Sequence, residues 1–175
     1  MQKLSWKEKY AGILVLLIGV LVLITQVSNM LSSKARGFAI QNGSIIIDKN
    51  ELFNDLRTYI TIILGILGGI LLLKNKRLGW VIGLPLLLLY TIIVAGFGID
   101  LALSKFHDPQ HNSHTGDPYL NVYVGVLGGI SLLFLLASIF LLLPVAQVRY
   151  RVGKATWIPT LLFFMALTAL YFFLH

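Results

Sequence analysis

Residues 59–80 read YITIILGILGGILLLKNKRLGW. Fifteen residues without a charge run into a polar, basic break at residues 74–77, and a second apolar run follows at once. So short a break between two long apolar runs leaves room only for a tight helical hairpin. Working outward, five such runs appear, at residues 10–31, 56–73, 78–103, 119–145 and 157–174. The shortest holds 18 residues, a helical rise of about 27 Å, against a bilayer hydrocarbon core of roughly 30 Å.

Composition agrees. Hydrophobic residues make up 57% of the chain and charged ones 12%, with mean hydropathy +0.85. A soluble domain carries about 25% charged residues, so a surface this apolar belongs in lipid. The expected fold class is an all-α integral membrane protein of five transmembrane helices. It forms a single transmembrane domain over residues 1–175, with loops at 32–55 and 104–118. Cysteine is absent, which removes disulfides, thiolate metal sites and cysteine nucleophiles together.

The net charge of +7 would fit nucleic acid by its size, but its distribution reads as topology. With the N-terminus inside, the inner segments hold Lys3, Lys7, Lys9, Lys74, Lys76, Arg77, Arg149, Arg151 and Lys154, with Glu8 as their one acid. The outer segments hold Lys34, Arg36, Lys49, Arg57 and Lys105 against six acids. Nine basic residues against five predict N-in, C-out. No nucleic-acid partner is expected. Residues 10–31 resemble a signal-peptide core, but the run is longer than such a core and reads as an uncleaved anchor.

Trp6, Trp80 and Trp157 each follow a basic residue by three positions, after Lys3, Arg77 and Lys154. The pattern predicts anchoring of all three indoles at the headgroup level.

Residues 59–73 and 119–133 match at eight of fifteen positions at a constant offset of 60, including three glycines in each copy. This predicts a parallel duplication of a helical hairpin, helices 2–3 and 4–5, plus an added first helix. Gly65 and Gly69, like Gly125 and Gly129, are spaced to let another backbone approach one helix face. In the first outer loop, Asn42-Gly43 lies between β-prone runs and predicts a two-residue hairpin. Asp48 and Glu51 then place the start of helix 2 near Lys49.

Polar residues gather at the outer helix ends: Gln26, Thr58, Thr61, Asn121, Tyr123, Thr168, Tyr171 and Asp100. The stretch KFHDPQHNSHTGDPY, residues 105–119, holds three of the four histidines. Pro109 predicts a break, with Asp108 capping a short new turn. His107, His111 and His114, with Asp108, Asp117 and His175, form a nitrogen-and-oxygen ligand set suited to a divalent transition metal, Zn, Cu or Ni. The favoured reading of the stretch is nonetheless a polar hinge between two membrane helices, since a junction between repeated hairpins needs a polar turn there.

No nucleotide-binding loop, serine-nucleophile elbow or zinc-protease motif is present. The expectation therefore leans away from an enzyme. It favours a non-enzymatic accessory or assembly subunit of a larger membrane complex, contacting lipid and either other membrane subunits or itself. The alternatives are an outward-facing metal-binding or metal-transfer protein and an oligomeric small channel or transporter. The expected location is a cell membrane, a bacterial inner membrane, crossed several times.

Overall fold

A computed structural model of the protein describes residues 5–31, 38–41, 44–47, 49–107 and 118–172. In chain order the elements are α1 (Trp6–Leu31), β1 (Phe38–Gln41), β2 (Ser44–Ile47), α2 (Lys49–Leu73), α3 (Arg77–His107), α4 (Pro118–Leu142), α5 (Pro144–Arg149) and α6 (Lys154–Phe172). All but α5 among the helices are long and apolar enough to cross a membrane.

The helix ends follow local chemistry. Ser5 and Glu8 form a capping box at the start of α1. The Ser5 backbone N–H and hydroxyl donate to Glu8 Oε2 at 2.7 and 2.9 Å, so a helix-end donor that would lack a partner is satisfied. α3 is described as far as His107, two residues before Pro109. The fourth apolar run departs from expectation. In place of one span to residue 145, Leu143 is extended (φ −60, ψ 141) and Pro144 opens a separate helix. Proline has no N–H to continue the α4 ladder and its fixed φ suits the first helical position.

The turns after α2 and α5 share one geometry. Asn75 and Arg151 both adopt φ 55. In each turn the next residue's N–H reaches back five positions, Lys76 to the Leu71 carbonyl and Val152 to the Gln147 carbonyl, both at 2.8 Å. These are Schellman turns built without glycine. β1 and β2 pair antiparallel with Gln41 opposite Ser44, so two residues link them; Asn42 and Gly43 themselves lie outside the described residues.

α3 is the hub. α2, α4 and α6 all pack on it, and α1 packs chiefly on α2 and then on α4. α4 and α6 lie against α3 rather than on each other, unlike α2 and α3. The buried core gathers at the end of the bundle where α1, α3 and α6 begin. Ala11, Val15, Leu72, Leu84, Ala137 and Leu141 form its centre. Toward the other end α4 is open, and residues 121–123, 125–126 and 128–130 are all exposed.

Candidate functional site

The two matched segments supply α2 and α4 with the same three glycines, and their surroundings are opposite. α1 crosses α2 with backbone against backbone. A Cβ added to Gly65 would lie 2.6 Å from the Gly19 Cα and N, and one added to Gly69 would lie 2.6 Å from the Leu16 N. Gly68 is equally filled, since its Cβ would meet Ile82 Cγ2 at 2.8 Å. Such crossings gain van der Waals contact that any side chain would forfeit. On α4, a Cβ at Gly125, Gly128 or Gly129 would meet nothing within 4 Å among the described residues. α4 turns Leu127 toward Gly98 of α3 and donates from the Ser131 hydroxyl to the Thr91 carbonyl at 3.3 Å. Gly125 and Gly129 stand on the far side of the helix from that contact.

The end that holds the core also holds a buried ion pair. Glu8 is 2% exposed and accepts at Oε2 from Arg149 on α5. Beside it, Tyr150 is buried and its hydroxyl donates to the Leu72 carbonyl at 3.1 Å. Burial, and secondarily the Glu8 carboxylate, push the Tyr150 hydroxyl well above its ordinary pKa of 10.0, while Arg149 opposes them. These contacts tie the start of α1 and the end of α2 to α5. Sequence reading missed the pair. Its one available signal was that Glu8 is the single acid among nine cations assigned to that end.

The three tryptophans divide. Trp6 is 67% exposed and meets Phe140 edge-on. Trp80 is fully buried, its Nε1–H donates to the Leu141 carbonyl at 2.9 Å, and its ring meets Trp157 edge-on at 5.1 Å. An indole with no exposed surface and its one donor already used is a core residue joining α3 to α4 and α6.

At the opposite end the structure brings several of the polar residues together. Gln26 Nε2 donates to Asp55 Oδ1 at 3.3 Å. Thr61, almost wholly buried, hydrogen-bonds the Tyr171 hydroxyl. Arg57 donates to Asn54 Oδ1 and, at 3.2 Å, to the Tyr171 carbonyl in the last turn of α6. A cation there complements the negative helix terminus. Tyr90 of α3 stands beside Tyr171 and Thr61. It lies inside an unbroken apolar run, so nothing in the sequence marks it. Asn121, Tyr123 and Asp100 are exposed. The network joins α6 to α2, and α1 to α2, where a free hydroxyl or amide would be costly in lipid.

His107 is the last residue of α3. Asp108, His111, His114, Asp117 and His175 lie outside the described residues, and so does the metal-site expectation built on them. Among the described residues no three His, Cys, Asp or Glu side chains converge.

Comparison with known protein families, curated proteins and solved structures finds no match for this chain.

Proposed function

We propose that the protein is a non-enzymatic accessory subunit that docks a membrane helix of a larger complex on the open glycine face of α4. One observation carries the reading. The same glycine spacing receives α1 when it occurs in α2 and receives nothing in α4. Glycine in a helix interior is destabilising by about 1 kcal/mol relative to alanine. At Gly65 and Gly69 close backbone packing offsets that loss. At Gly125 and Gly129 the offset must come from outside the chain. The occupant is a transmembrane helix with small residues at its crossing point, as α1 has Gly12 and Gly19.

The finer topology belongs to the same reading. The proposed orientation is N-in, C-out in a bacterial inner membrane. It is supported by the cations gathered at one end and by the burial of their one acid, Glu8. A duplicated hairpin is supported by the matched fifteen residues and by the paired Schellman turns at Asn75 and Arg151. The separation of α4 from α6 argues that the second copy has opened relative to the first.

The test is site-specific photo-crosslinking in native membranes. Probes at Val122 and Leu132, exposed on α4, are expected to capture one defined membrane protein, and a probe at Ile13 on α1 is not. Capture of a second copy of this chain would replace the partner by self-association. Capture of lipid alone from α4 would end the proposal.

A further inference from the structure

We propose that the end of the bundle where α1, α3 and α6 begin is a binding surface for anionic phospholipid headgroups. Three separate segments bring cations there: Lys9 from α1; Lys74, Lys76 and Arg77 from the α2–α3 turn; Arg151 and Lys154 from the α5–α6 turn. All six side chains are exposed. None pairs with a carboxylate among the described residues. Glu8 is the one described acid at this end, and the fold removes it from the surface by burying it against Arg149. The result is a surface of a single sign, not a mixture of charges that screen one another.

Its apolar neighbours fit the same partner. Val145 and Val148 of α5 are exposed, Val148 to 79%, and each lies within a few residues of Arg149 and Arg151. Leu78 and Trp6 are exposed beside Arg77 and Lys7. Cations interleaved with exposed apolar side chains at a helix end match the headgroup–acyl boundary, phosphate above and hydrocarbon below. An acidic protein segment would satisfy the lysines and arginines but leave the valines and Leu78 in water. The phospholipid satisfies both, so it is the occupant the surface favours. The proposal does not depend on the α4 surface.

The experiment reconstitutes the full chain in vesicles of equal phosphatidylglycerol and phosphatidylcholine, extracts it in mild detergent, and measures retained lipid by mass spectrometry. A Lys or Arg near an anionic surface shifts the local equilibrium by about fivefold. The wild-type chain is expected to retain phosphatidylglycerol over phosphatidylcholine by at least that factor in 0.1 M salt. The enrichment is expected to fall in 1 M salt, where the screening length shortens from about 10 to about 3 Å. Lys74→Gln/Lys76→Gln/Arg77→Gln is expected to reduce it fivefold or more, while Arg57→Gln at the opposite end leaves it unchanged. Equal retention of the two lipids by the wild-type chain overturns the proposal, with no variant required. So does enrichment that survives the triple substitution and 1 M salt, or that is lost through Arg57→Gln instead.

Discussion

Gly65 and Gly125 occupy the same place in two matched segments, and a single methyl group distinguishes their surroundings. In Gly65→Ala the new Cβ would lie 2.6 Å from the Gly19 Cα, about 0.8 Å short of the 3.4 Å at which ordinary contact begins. The obstacle is backbone on both sides, so no rotamer relieves it. α1 and α2 must separate by most of that distance. A gap of about 0.5–1 Å forfeits a quarter to a half of each dispersion well along the crossing. Overpacking of this kind costs about 1–3 kcal/mol, and the better helix propensity of alanine returns about 1 kcal/mol. The expected net loss for Gly65→Ala is up to about 2 kcal/mol, and because the propensity gain is common to both variants, Gly65→Ala is expected to lie about 1–3 kcal/mol below Gly125→Ala. At this chain length each kcal/mol moves the midpoint by about 2–4 °C. Gly125→Ala meets nothing within 4 Å among the described residues and is expected to leave the isolated chain unchanged or up to about 1 kcal/mol more stable. Thermal unfolding of the purified chain in one detergent, followed by circular dichroism, reads both variants side by side. Equal midpoints for the two would refute the close α1–α2 crossing and the contrast drawn from it.

Three further outcomes are expected. Glu8→Gln strands Arg149 without its counter-charge and is expected to destabilise the chain by roughly 3 kcal/mol, whereas Glu8→Met/Arg149→Met is expected to cost only the about 1 kcal/mol of the lost α1 cap; denaturant melts of the single and double variants check this. Because burial raises the folded-state pKa of Tyr150 above its ordinary 10.0, the unfolded chain ionises first. The stability held below pH 10 is thus lost as pH rises beyond it, by up to about 1.4 kcal/mol per pH unit for this one group; in Tyr150→Phe the melting midpoint measured from pH 9 to 11 should fall less steeply than in wild type. Asn75 holds φ 55, so Asn75→Gly is expected to hold or raise stability, by up to about 1 kcal/mol, in the same thermal assay.

The spans were legible because a long uncharged run has few alternatives once it exceeds membrane thickness. The hairpin at β1 and β2 and the start of α2 at Lys49 were legible for a local reason: turn and cap residues act within four positions of themselves. The break at Pro144 was also written locally, but the apolar residues on both sides of it read as continuous helix. What sequence could not supply was the neighbour. Trp80 obeys the pattern of an interfacial tryptophan, yet α4 brings the Leu141 carbonyl to its indole N–H and covers it. Gly65 and Gly125 are identical in their local sequence signals. Their difference arises from connectivity, because α1 precedes α2 and packs back upon it, while the helix before α4 is α3, which takes the opposite face. The cluster of Thr61, Tyr90 and Tyr171 draws on three helices far apart in the chain, and only two of the three hydroxyls stood near a predicted helix end.

The most direct measurement of the central claim is crosslinking from Val122 and Leu132 in membranes that carry either the wild-type chain or Gly125→Ile/Gly129→Ile. The wild-type chain should give one defined protein adduct. The double variant should lose that adduct while its own melting midpoint, set by contacts elsewhere, stays within a few degrees of wild type. An adduct of equal yield from both chains, or lipid as the sole product from the wild type, would contradict docking on the glycine face of α4.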